Sequence, residues 1–125
     1  MAQPRKFRVL VIDDEPDILE SIELMLKEHR HIEVMTAQTA EHAVSLLSRA
    51  DGVIADCVLP QISELENSLR RSGKPVIRMS GRIFRASNLE ISKPFTEQQL
   101  LDSVEMLQFF SNANRSPGNL KRGSK

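Results

Sequence analysis

The sequence predicts an α/β domain, a five-stranded parallel sheet wrapped by helices on both faces. Three observations carry this. Short apolar, β-branched runs alternate along the chain with segments of helical periodicity. The runs FRVLVI and GVIAD are nearly unbroken, as suits strands buried on both faces. Each of those two runs ends on an aspartate, at the strand edge where open parallel sheets gather function.

The elements follow in order. Phe7 to Ile12 is the first strand and stops at Asp13 and Asp14. Pro16 occupies a first helical position, and Ile18, Ile22, Met25 and Leu26 recur at helical spacing, which predicts an amphipathic helix from Pro16 to about Glu28. Ile32 to Thr36 is a second strand, and Thr39 caps a helix carrying Ala40, Ala43, Val44 and Leu47 on one side. Gly52 to Asp56 is the third strand. After Leu59 and Pro60, the spacing of Ile62, Leu65 and Leu69 predicts a short helix. Lys74 and Pro75 open a fourth strand, Val76 to Ser80, and Leu89 to Ser92 is a fifth, running into Lys93 and Pro94. Thr96 with Gln99 forms a capping-box pattern ahead of a last helix bearing Leu100, Leu101, Val104 and Leu107.

Composition narrows the class. At 125 residues, 40% hydrophobic and 27% charged, the chain is one ordinary globular domain. Lys plus Arg and Asp plus Glu are each 17, which argues against a generally basic nucleic-acid coat. No apolar run approaches the ~20 residues that span a bilayer, and no signal-peptide pattern opens the chain, so a cytoplasmic location is expected. The single Cys57 excludes an internal disulfide framework and a cysteine-rich zinc site. The stretch 111–125 holds Arg115, Lys121, Arg122 and Lys125 with no acid and one aliphatic residue, Leu120, and is expected to be a disordered basic tail. A solvated end is favoured there over a nucleic-acid contact.

Five polar residues fall at strand exits: Asp13 and Asp14, Asp56, Ser80 and Lys93. Taken singly, each has an ordinary use. Asp13, Asp14 or Glu15 would favour a helix N-terminus, Ser80 a turn, and Lys93 solvent ahead of a proline. Jointly they read as a site. If the first and third strands are neighbours, three carboxylates share one pocket. Two unit charges ~4 Å apart repel by about 4 kcal/mol at an effective dielectric of 20. The cluster therefore needs neutralising, and Mg2+, which prefers one or two carboxylates plus waters, suits it.

At these residues the chain resembles the receiver domain of two-component response regulators, chemotaxis-regulator-like. The matching stretches are VLVIDDE (9–15), VIADCVLP (53–60), VIRMSG (76–81) and SKPF (92–95), in register across about Lys6 to Phe110. The resemblance implies a flavodoxin-like fold with strand order 2-1-3-4-5. It implies that Asp56 accepts a phosphoryl group from a histidine kinase or phosphotransfer protein. Asp13 and Asp14, with Asp56 and the backbone carbonyl of Val58, would hold Mg2+. Lys93 would pair with the phosphoryl oxygens, and Ser80 would hydrogen-bond them on switching. Such a domain is no enzyme beyond its own aspartyl phosphorylation and dephosphorylation.

The chain also departs from that family. Only residues 81–88 connect the fourth and fifth strands, whereas a helical crossover takes at least about 10–12 residues. Eight extended residues reach ~26–29 Å, enough to return without a helix. The family's fourth helix is therefore expected to be missing or reduced to a turn, and the stretch Leu59 to Lys74, which lacks the glycine the family usually places after the Leu-Pro step, is expected to hold only a short third helix. Polar alternation in VIRMS and LEIS predicts that one sheet face is poorly covered there. Glu90 stands where the family places its switch aromatic, so the usual coupling cannot operate in its usual form. Arg78 and Glu90 are placed either to pair across strands, for about 0.2–1 kcal/mol, or to stand as separate solvated side chains.

Other residues are given structural readings. His29, His31 and His42 lack metal-ligand company and read as solvated surface side chains. Cys57 reads as a small packed side chain, and Met25, Met35, Met79 and Met106 as core filler. The leading expectation is a stand-alone receiver that signals by binding a further protein, with no effector domain following. A pseudo-receiver using its uncovered strand-four and strand-five face for constitutive docking or homodimerisation is the alternative. A small phosphohydrolase is the third, and the chain offers no length for its substrate cap. No membrane partner is expected, and nucleic acid is disfavoured.

Overall fold

A computed structural model describes residues 5–56, 62–80, 90–92 and 95–115. β1 (Phe7–Ile12) is flanked by β2 (Ile32–Ala37) and β3 (Gly52–Asp56). β4 (Val76–Ser80) and β5 (Glu90–Ser92) extend the sheet, which is parallel throughout in the order β2-β1-β3-β4-β5. The expected order and class are those observed.

Alternation along β1 explains why both faces must be covered. Val9 and Val11 enter one apolar cluster with Leu19, Ile22 and Leu26 of α1 (Pro16–Leu26) and Leu100, Val104 and Leu107 of α4 (Glu97–Arg115). Leu10 and Ile12 enter the other with Ala43 and Leu47 of α2 (Ala40–Leu47) and Leu65 and Leu69 of α3 (Ile62–Ser72). A strand whose successive side chains point to opposite faces, both buried, must be apolar at every position. Val9 to Ile12 supply this, while Phe7 and Arg8 at the entry of the strand are only half-buried.

The caps hold the helices where the pattern places them. Thr39 Oγ1 accepts the His42 N–H at 3.1 Å. Thr96 and Gln99 form the reciprocal box, with Gln99 N donating to Thr96 Oγ1 at 3.1 Å and Thr96 N donating to Gln99 Oε1 at 2.9 Å. α3 stops at Gly73, whose φ of +70° lies in the left-handed region that glycine enters without a Cβ penalty.

Two expectations are corrected. The third helix is not short: α3 has 11 residues, as many as α1, because the helix uses the chain up to Ser72 before Gly73 ends it. The helical face also outlasts the boundary expected at Phe110. α4 continues to Arg115, since Ser111 extends the buried series Leu100, Val104, Leu107, so residues 111–115 are helical rather than disordered. Residues 81–89, where the reduced fourth helix was expected, and 116–125 of the expected tail lie outside the described residues.

Arg78 faces the α3 side of β4, opposite Ile77 and Met79, and stands in register with Glu90. Its guanidinium is engaged by both carboxylate oxygens of Glu66 on α3. The polar alternation of β4 therefore marks a half-covered face closed by an ion pair with the neighbouring helix.

At the amino edge of the sheet, Asp51 ties β1 to the turn before β3. It is 7% exposed, its N–H donates to Arg8 O at 2.8 Å, and its Oδ2 accepts the Arg8 N–H at 2.8 Å. Arg5 Nη2 donates to Oδ1 at 2.7 Å. Lys74 Nζ donates to the last carbonyl of α2, Leu47 O, at 2.6 Å. Burial pushes the Lys74 pKa below its ordinary value, and the Asp51 charge opposes this with a smaller upward effect.

Two outcomes follow from this packing. A Cβ on Gly52 would meet Leu107 Cβ at 3.1 Å and Phe7 Cζ at 3.2 Å. Gly52→Ala should therefore destabilise the fold by about 1 kcal/mol net of the backbone-entropy gain, read as a lower urea midpoint at unchanged m-value. For Lys74, the unfolded chain holds the proton more tightly than the folded one. The folded state thus carries a penalty below the folded pKa, which fades as pH rises through that value toward the ordinary 10.5. Relative to Lys74→Gln, the wild type should gain stability with pH across that alkaline window, and urea titrations of both at several pH values check it.

Candidate functional site

The carboxyl edge of β1 and β3 carries the site. Ile12 pairs with Ala55, so the next residues on the two strands, Asp13 and Asp56, emerge side by side. Both are buried, at 0% and 2% exposure, whereas Asp14 is exposed. One carboxylate oxygen from each of Asp13, Asp14 and Asp56 lies within 4.8 Å of the others. This is also the point at which the chain reverses its direction of winding, with β2 to one side of β1 and β3 to the other.

Local structure aims these groups. Asp13 N donates to Ala37 O at 3.1 Å, which continues the β1–β2 ladder one step past the strand. Asp13 Oδ1 accepts the Glu15 N–H at 2.8 Å and so shapes the turn into α1, whose N-cap, Glu15, makes no side-chain cap of its own. Pro16 follows at the first turn, where its missing N–H costs nothing. The helix-start use of Asp13 and its place in the cluster are thus compatible: one oxygen orients the turn while the carboxylate stays at the pocket.

The donor set fits a hard cation. Octahedral Mg2+ ligands at ~2.0–2.1 Å sit roughly 3 Å apart when adjacent and roughly 4 Å apart when opposed. Oxygens within 4.8 Å need to close by about an ångström or reach the ion through a water. All three donors are carboxylates, the chemistry such an ion selects.

The remaining expected site residues are placed as follows. The backbone of Ser80 ends β4, one step beyond the pairing of Asp56 with Met79, and pairs with Ser92 of β5. Lys93, which follows β5 in sequence, and Val58 and Cys57, which follow β3, lie outside the described residues. Among the histidines, His29 Nε2 lies 3.3 Å from Glu97 Oε2, joining the end of α1 to the start of α4, while His42 is exposed. Asp51 and its partners at the opposite edge escape the sequence reading altogether. A lone aspartate before a buried strand carries no signal that separates an ion-paired group from a loop acid.

The sequence matches no protein-family model and no curated protein. The fold does match solved structures. A signal receiver domain of an HD domain-containing protein from Pseudomonas fluorescens Pf-5 superposes with a TM-score of 0.76, at 22% identity over 92% of this chain and 96% of that one. A CheY-like response regulator receiver domain protein from Methanospirillum hungatei JF-1 gives 0.70, at 25% identity over 86% and 98%. The chemotaxis response regulator CheY4 of Vibrio cholerae gives 0.66, at 19% identity over 82% and 98%.

Like charges crowded at this edge set the stability response. Asp56→Asn should stabilise the metal-free protein by about 1–3 kcal/mol, the repulsion expected at an effective dielectric near 20 after solvent weakens the Asp14 share. Adding Mg2+ should raise the melting temperature of the wild type more than that of the variant, and thermal melts with EDTA and with Mg2+ measure both.

With its strand order, its doubly covered sheet and its acidic cluster at the β1–β3 edge, the chain has the fold of a response-regulator receiver domain.

Proposed function

We propose that the chain is the phosphoacceptor receiver of a two-component system, taking a phosphoryl group on Asp56 from a histidine kinase or phosphotransfer protein and signalling through contact with a further protein. The observation that carries this reading is the convergence of Asp13, Asp14 and Asp56 at one strand edge. Phosphoryl transfer asks a protein chiefly for positioning and charge neutralisation along an in-line path.

Asp56 is the nucleophile. Its carboxylate oxygen forms the new O–P bond as the P–N bond of a donor phosphohistidine breaks, and the leaving imidazole takes up a proton. The buried strand end fixes the direction of attack, because Asp56 is 2% exposed and backed by the β3–β4 ladder. Asp13, Asp14 and Asp56, with the Val58 carbonyl, would hold Mg2+, whose chemistry there is neutralisation of the incoming phosphoryl oxygens. Asp13 is held in position by its own turn to Glu15. The product carries roughly −1.5 to −2 charge, to be met by Lys93 and by the hydroxyl of Ser80. On this reading catalysis is confined to the domain's own phosphorylation and dephosphorylation. The setting is the cytoplasm, where a kinase draws its ATP.

Among the described residues, no helix is long and apolar enough to cross a membrane. The docking alternative, a pseudo-receiver that keeps the pocket without using it, makes the opposite chemical forecast.

An acyl-phosphate donor supplied with Mg2+ should add one phosphoryl group to the wild type, seen by intact mass, and none to Asp56→Asn. Asp13→Asn should lower the labelling rate by about tenfold or more, since it removes a charged ligand worth upward of a kcal/mol. Unlabelled wild type under these conditions would favour the docking module. Turnover of unrelated phosphate esters would favour the hydrolase.

A further inference from the structure

The amino edge of the sheet, remote from the three carboxylates, holds a cavity of about 320 Å³. Among the described residues its walls include four cationic side chains, Arg5, Arg8, Arg49 and Lys74, and one carboxylate, Asp51. These come from four separate places in the chain: the lead-in to β1, β1 itself, the turn after α2, and the turn before β4. Parallel topology brings them together because every strand enters the sheet at this edge.

We propose that this cavity binds a small polyvalent oxyanion of the diphosphate class. The positive charge is in excess. Arg5 is ion-paired with Asp51 at 2.7 Å, and Arg8 Nε with Glu33 Oε1 at a longer 3.7 Å. Two carboxylates thus offset four cations, and the wall keeps a net positive charge. The donors are also suited to the task. Each guanidinium presents five N–H groups in a planar fork that grips phosphate oxygens two at a time, and Lys74 uses one of three N–H groups on Leu47 O. Ser48 adds a hydroxyl to the same wall. Burial, which lowers the Lys74 pKa, becomes less costly once an anion stands beside the ammonium.

Size selects within the class. The volume lies at the small end of the ~300–1,000 Å³ range of ligand pockets, and the wall is dominated by charged and polar side chains. It suits two linked phosphoryl groups rather than a long polyanion. The diphosphate could be free or carried by a nucleotide, and the shared chemistry is what the cavity reads.

Titration of the full chain with inorganic pyrophosphate and separately with ADP, in EDTA to keep divalent ions from the acidic edge, tests the assignment. Saturable binding should appear by calorimetry, with amide shifts centred on Arg8, Ala50, Asp51 and Lys74. Arg49→Gln, at an exposed position, and Lys74→Gln should each weaken it at least about tenfold, while Arg49→Gln leaves acyl-phosphate labelling of Asp56 unchanged. Equal affinity for the two probes would assign free diphosphate, and tighter ADP binding a nucleotide. Absence of saturation, shifts centred on residues 13–15 and 56, or full affinity in Arg49→Gln and Lys74→Gln would overturn the proposal.

Discussion

The parallel pairing of β1 with β3, in the register that sets Ile12 against Ala55, is the constraint on which the rest depends. A slip of one residue would move every side chain of a strand to the opposite face. Here both faces are apolar, so hydrophobic pattern alone does not forbid the slip. The register is held elsewhere. Asp51 exchanges hydrogen bonds with both the N–H and the carbonyl of Arg8 at the start of the ladder. Gly52 lies close beneath Leu107 and Phe7, where a Cβ would be crowded. An aspartate at one edge thus helps decide which aspartates meet at the other.

Burial then does two opposed things to the acidic edge. The clusters on both faces of the sheet make the strand ends rigid, which gives Asp13 and Asp56 a fixed spacing. They also withdraw those carboxylates from water, which raises the cost of keeping them charged side by side. A flexible surface loop would avoid the cost and lose the geometry. Holding like charges together on rigid strand ends is the arrangement that makes a bound cation an energetic relief.

Sequence reasoning reads this molecule unevenly, for physical reasons. The strands were legible because a strand buried on both faces needs an unbroken apolar run, and Val9 through Ile12 are such a run. The caps at Thr39 and Thr96 were legible because capping is local, decided within three residues. The clustering of Asp13, Asp14 and Asp56 follows from strand ends alone once β1 and β3 are neighbours. Tertiary partners were not legible. Arg78 stands opposite Glu90 as the strand pattern implies, yet its guanidinium is taken by Glu66 from a helix packed over the sheet. The length of α3 is not legible, because in a shortened segment a missing loop residue and a missing helical residue look alike. Ser111 belongs to α4 through its burial, which composition could not reveal in a stretch otherwise rich in tail-like residues.

A formal charge of zero conceals a polarised molecule. In a parallel sheet every strand enters at one edge and leaves at the other, so residues that precede strands and residues that follow them are sorted in space. The entries here bring Arg5, Arg8, Arg49 and Lys74 to one cavity, and the exits bring Asp13, Asp14 and Asp56 to one cluster. Length along the strands keeps the two groups apart: six residues of β1 span roughly 20 Å, about two Debye lengths at 0.1 M salt. Charges at one edge therefore scarcely screen those at the other. Each edge thus presents a field of its own sign, positive where the strands enter and negative where they leave.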